Sequence, residues 1–169
     1  SLKDIANISQ TGPRIDAYNE YVTKLAEKAD VKGLIEYVQH IASSNVPALV
    51  SRPCLEKFAA QLSSLPSDAK IEVAEKALEV LSSSAFFEQT VNIRKTLSME
   101  IRVAKKDFKL AAQVLGKIDF DALIQQDPRE GTKLLLDVAQ LYLGCGESAH
   151  AETYVNKAAL KIDDLKSDD

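Results

Sequence analysis

Residues 135 to 158 constrain this chain more than any other stretch. Leu135, Val138, Ala139, Tyr142, Gly146, Ala151, Val155 and Ala158 recur at three and four residues on either side of a glycine turn. That spacing predicts two antiparallel helices joined by a tight connection. Ala139, Ala151 and Ala158 let two backbones approach closely, and the larger side chains fill the groove beside them. One such hairpin cannot bury its apolar stripe alone, so neighbouring hairpins must stack on it.

The same periodicity runs through almost all of the 169 residues. Ile15, Tyr18, Val22 and Leu25 mark a first helix entered after Thr11-Gly12-Pro13. Asp30 caps a second, whose face is Val31, Leu34, Ile35, Val38, Ile41 and Ala42. A third is expected from about Ser51, with Pro53 in its first turn and Leu55, Phe58, Ala59 and Leu62 inside. After Pro66-Ser67 a fourth carries Ile71, Ala74, Ala77, Leu78 and Leu81. A long fifth helix spans about 85 to 105, and Asp107 caps a short sixth that holds Phe108, Ala111, Ala112 and Leu115 inside. The segment 117 to 126 reads as the longest irregular piece, with Ala122-Leu123-Ile124 able to form one turn of helix. Asp127-Pro128 opens the seventh helix, and the eighth follows Gly144-Cys145-Gly146. Ala111 and Ala151 are forty residues apart, as are Leu115 and Val155, a repeat length at home in tetratricopeptide-like stacks. The expected fold is all-α, a right-handed α-solenoid of about eight helices, in one domain from 1 to 169. Val155, Ala158, Ala159 and Ile162 continue an apolar stripe along the last helix, and the tail 163 to 169 is acidic.

Composition narrows the function classes. A net charge of −4 argues against a dedicated nucleic-acid domain, which needs a cationic face to neutralise phosphates. The charge is uneven: from 92 to 117 seven basic residues meet two acidic ones, a local balance of +5 that leaves −9 elsewhere. Lys95, Arg102 and Lys106, spaced seven and four apart, form one stripe on the expected fifth helix and are the candidate protein-binding residues. Cations closing a helix also meet the negative end of its dipole, which is their structural alternative. No catalytic, cofactor or metal constellation is found. Cys54 and Cys145 lack paired spacing, His40 sits at the edge of an apolar face, and Cys145 with His150 has no third polar partner. Asp119, Asp121, Asp127 and Glu130 lack the glycine and ligand alternation of a calcium loop. No apolar run predicts a membrane span, and the first residues do not read as a signal peptide.

The string from Asn45 to Arg52, followed by Leu55, Phe58 and Leu62, resembles a stretch in the family of fourth subunits of the COP-nine signalosome, a branch of the PCI-domain proteins. So do Phe87-Glu88-Gln89 with Ile93-Arg94, Ala111 to Leu115 with Ile118, and Gln140 to Leu143 followed by Ala151-Glu152 and Tyr154 to Ala158. The resemblance runs in order from about Asp30 to Ala159. It implies an N-terminal helical-repeat arm, cut off before a PCI domain that ends in a winged helix. It implies a non-catalytic cytoplasmic and nuclear scaffold, with other signalosome subunits and a cullin-RING ubiquitin ligase as partners. The complex of that family removes the modifier Nedd8 from such ligases, with its metal-dependent isopeptidase in another subunit. The connection before Asp107 is one residue longer than the family usually has, and basic where acidic residues are expected. Two alternatives stand beside this reading, a proteasome-lid-type PCI arm and an RNA-binding helical repeat acting through the basic segment.

Overall fold

The computed structural model of the chain describes residues 1 to 167, and all regular structure among them is helical. Packing gathers the chain into two units, Ser1–Leu97 and Ser98–Asp169. No helix among the described residues is long and apolar enough to cross a membrane.

The first unit holds α1 (Leu2–Ala6), α2 (Thr11–Glu27), α3 (Val31–Ile41), α4 (Ala48–Leu62), α5 (Ser67–Val80), a 3-10 turn at Ser84–Phe86, and most of α6 (Phe87–Glu100). α1 is an addition to the expected set. Ser1 and Asp4 close a capping box on it, each side chain meeting the other's backbone N–H. Asp30 caps α3 as expected, its Oδ1 accepting from the Gly33 N–H at 2.9 Å, an interaction worth about 1 kcal/mol. α4 starts at Ala48, earlier than Ser51, because Pro47 is extended and serves as its N-cap. Pro53 therefore lies inside the helix, where its missing N–H forgoes one backbone bond.

In this unit α2 packs on both α3 and α4, and α3 packs on both α4 and α5. Contacts with the next helix and the next but one are what stacked hairpins make. The core at their meeting is aromatic: Tyr37 of α3 lies edge-on to Tyr18 at 6.2 Å between ring centroids and stacks with Tyr21 at 6.1 Å and Phe58 at 6.2 Å. Tyr37 was not among the residues assigned to the face of α3, yet it is wholly buried.

In the second unit a π turn at Ile101–Lys105 follows α6, and then come α7 (Phe108–Gly116), α8 (Phe120–Gln126), α9 (Pro128–Gly144) and α10 (Ser148–Ser167). The long fifth helix is thus corrected to an α-helix that ends at Glu100 and a wider turn with its own cap. The helical turn allowed at 122 to 124 extends to a seven-residue helix, Phe120–Gln126. Asp119 caps α8 by accepting from the Ala122 N–H at 3.1 Å, and Phe120 and Leu123 are buried. Ten α-helices therefore stand among the described residues where about eight were expected. Asp107 and Asp127 cap α7 and α9, with Pro128 in the first turn of α9.

α9 is the centre of this unit and packs on α7, α8 and α10. Leu135, Val138, Ala139 and Tyr142 on α9 are buried, as are Ala151 and Ala158 on α10. Gly146 makes the turn between them at φ 79°, a left-handed conformation that glycine adopts without strain. Val155 departs from the expected pattern at 42% exposure. Its neighbour Tyr154 takes the inward place by stacking on Tyr142 at 5.9 Å. Of the stripe on the last helix only Ala158 is buried, and Val155 and Ala159 are exposed. The acidic tail lies partly outside the described residues, at Asp168 and Asp169.

Candidate interaction surface

The basic segment is shaped by the π turn. Ile101 opens the turn and is buried, so it fixes the turn to the core. Ser98 adds a second tie by donating its hydroxyl to the Ala111 carbonyl at 2.8 Å in a buried site. Five residues later the Lys106 N–H bonds back to the Ile101 carbonyl, and Lys106 itself takes φ 53° and ψ 28°. A left-handed conformation at a lysine costs about 1 kcal/mol or more, and here it closes the helix end and reverses the chain. Asp107 then caps α7 by accepting from the Leu110 N–H at 3.0 Å.

Between these anchors every residue from 102 to 110 is exposed. The corner presents Arg102, Lys105 and Lys106 beside Val103 at 62% and Met99 at 59% exposure. Cations interleaved with unburied apolar side chains suit contact with a protein surface better than plain solvation does. Phe108 was expected inside, but the tight reversal leaves it 37% exposed at the head of α7.

Of the three candidates, Arg102 and Lys106 share this corner of the second unit. Lys95 belongs to α6 in the first unit, is half-buried, and has its own interactions. The stripe was expected on one unbroken α-helix, whereas the α-helix ends at Glu100, Arg102 lies in the π turn and Lys106 caps it.

Further round the second unit, Lys109 of α7 pairs with Glu147 at 3.1 Å, and the other oxygen of Glu147 lies 3.3 Å from His150 Nδ1. The His150 ring stacks on Tyr142 at 5.0 Å, and Phe120 meets Tyr154 edge-on at 6.2 Å. Cys145 and His150 do not form a nucleophilic pair. The thiol of Cys145 points to the Tyr142 carbonyl at 3.4 Å, and His150 turns to Glu147. Asp119 and Asp127 serve as helix caps, and no group of three His, Cys, Asp or Glu among the described residues could hold a metal ion.

His40 has a structural partner that spacing alone did not reveal: its Nε2 lies 2.7 Å from the Tyr18 hydroxyl. Burial, and then the nearby Arg14 charge, hold the imidazole pKa below its ordinary value. The unfolded chain therefore binds the proton first as pH falls. The stability that His40 contributes is fully present above its unfolded pKa of about 6.5 and is lost as pH falls through that value toward the lower folded one. His40→Gln is expected to flatten the loss of stability between about pH 7.5 and 5, read as urea midpoints. Equal losses in the two proteins would contradict this placement of His40.

A family model described as PSMD12/CSN4, N-terminal, matches residues 3–169. The chain is 26% identical over 171 residues to the COP9 signalosome complex subunit 4 of Arabidopsis thaliana, covering 99% of this chain and 43% of that protein. It is 26% identical over 161 residues to the protein of that name in Dictyostelium discoideum, covering 94% and 41%. With the Drosophila melanogaster protein of that name the identity is 31% over 135 residues, covering 77% and 32%. The chain spans about two-fifths of the length of the first two of these relatives.

Proposed function

The chain belongs to the PSMD12/CSN4 N-terminal family, and from that premise we propose that it is a non-catalytic interaction arm of a COP9 signalosome. In this reading other signalosome subunits are its partners, and it acts in the cytoplasm and nucleus. It contributes to recognition of the cullin-RING ubiquitin ligase from which the complex removes Nedd8. The observation that carries the reading is the family match over nearly the whole chain, on a helical scaffold with an exposed cationic corner. Stacked hairpins suit such a role, since each adds surface to a rigid support without needing a catalytic cleft.

Arg102 and Lys106 are the contact residues of this arm for an acidic partner surface. A proteasome-lid-type arm would share the fold, and the signalosome name carried by the relatives favours the first reading. A pull-down of purified cullin-RING ligase by the immobilised chain tests the proposal, with filter binding of single-stranded RNA at modest salt as its counterpart. Retention of the ligase and not the RNA is expected. Retention of the RNA alone would replace the reading with RNA binding.

A further inference from the structure

The second unit carries a groove of about 490 Å³ whose walls are Leu110, Gln113 and Val114 of α7 with Lys117 at its end, and Tyr142 and Tyr154 of α9 and α10. It exists because Gly116 has no side chain. A Cβ built there would stand 2.7 Å from the Tyr154 Oη, so any other residue would displace that ring. The floor is therefore two stacked tyrosines, and the rim is Leu110 at 40% exposure.

Lys117 is the one charged residue among those lining the groove. Lys117 is exposed, and no carboxylate is among the lining residues. Leu110 stands in the first turn of α7, its N–H capped by Asp107, which separates it in sequence from the cationic corner of Arg102, Lys105 and Lys106. Lys109 is already matched by Glu147. A cavity of about 470 Å³ that also touches Tyr154 is different, mixing Asp119, Asp121 and Asp164 with Lys157 and Lys161. An anionic ligand would meet repulsion there and attraction in the first groove.

We infer that the groove between α7 and the Tyr142–Tyr154 stack binds an acidic segment of a partner protein that inserts an apolar side chain. The anchor packs on the tyrosines beside Leu110, and a flanking carboxylate meets Lys117. The groove is open rather than enclosed, and its aromatic walls supply dispersion contact with little loss of rotamer freedom. This rests on the reading of the chain as an interaction arm and names the partner chemistry that the arm recognises.

The probe is a fluorescein-labelled peptide of about twelve residues, Asp and Glu throughout with a central Leu-Phe pair, titrated with the full chain by anisotropy at low salt. Saturable binding is expected. It should weaken about tenfold in Leu110→Asp and in Lys117→Glu, and about tenfold when the central pair is Ser-Ser. Both substitutions are at exposed positions, and a circular dichroism melt checks that each variant is folded. No saturable binding by the wild type, or equal affinities for the three folded proteins, would overturn the inference. So would tighter binding of an oligouridylate that is weakened by Lys117→Glu when the peptide is not bound. Loss of peptide binding with ligase pull-down intact removes the groove and leaves the arm. Loss of the pull-down with peptide binding intact removes the ligase and leaves the groove.

Discussion

Tyr37→Ala is expected to cost about 3–5 kcal/mol of stability, the range for deleting a large buried aromatic side chain. Tyr37 is wholly buried and is the ring that the other three share: Tyr18 and Tyr21 from α2 and Phe58 from α4 all lean on it. Deleting it opens a cavity where α2, α3 and α4 meet and removes the ring on which the other three pack. The hydroxyl behaves oppositely. It is buried beside the Cys54 thiol and has no partner with hydrogen-bond geometry. Burial pushes the Tyr37 pKa far up and lifts that of Cys54 to about 11, so both groups stay neutral. An unsatisfied buried hydroxyl costs about 1–3 kcal/mol, so Tyr37→Phe is expected to leave stability unchanged or raise it by about 1 kcal/mol. Urea unfolding of the two variants measures both effects. A Phe variant that loses more than about 1 kcal/mol would show that the hydroxyl is bonded.

Tyr37 also shows where sequence reading stopped. The apolar face drawn for α3 assumed one direction of packing, but α3 meets α2, α4 and α5 together, so a second side of the helix is inside. Capping was the most legible signal: Asp30, Asp107 and Asp127 each hold the N–H expected of them, because an aspartate before a periodic run has few other uses. The same signal at Asp119 was overlooked, since Asp119-Phe120-Asp121 resembles an acidic loop and α8 is only seven residues long. The π turn was hidden for another reason. Leu97 and Ile101 keep helical spacing right up to it and both are buried, so periodicity runs on past the point where the backbone changes. A π turn takes one more residue than an α turn, so the apolar spacing before it gives no sign of it. The hairpin at 135 to 158 was read correctly except at Val155, where Tyr154 reaches the groove that the smaller valine was assigned. The candidate surface was legible as charge. Its shape was not, because the exposure of Arg102 and Lys106 depends on a left-handed lysine that no pattern announces.

Arg102→Glu with Lys106→Glu is expected to slow association with a cullin-RING ligase about tenfold at low salt, while dissociation changes much less. Both side chains are exposed at a corner that is positive on an otherwise acidic chain. Charges in that position act through the field that guides encounter, which an exchange of two cations for two anions reverses. Screening shortens the reach of the field to about 8 Å near physiological ionic strength, so the difference between the two proteins should shrink there. Neither side chain is part of the core, and the turn is held by Ile101 and Ser98, so the double variant should melt close to the wild type. The decisive measurement is the stopped-flow association rate of wild type and double variant with the ligase at low and physiological salt. The account predicts a tenfold gap that closes as salt rises. Equal rates at low salt, with both proteins folded, would contradict it and leave these cations as helix-end residues only.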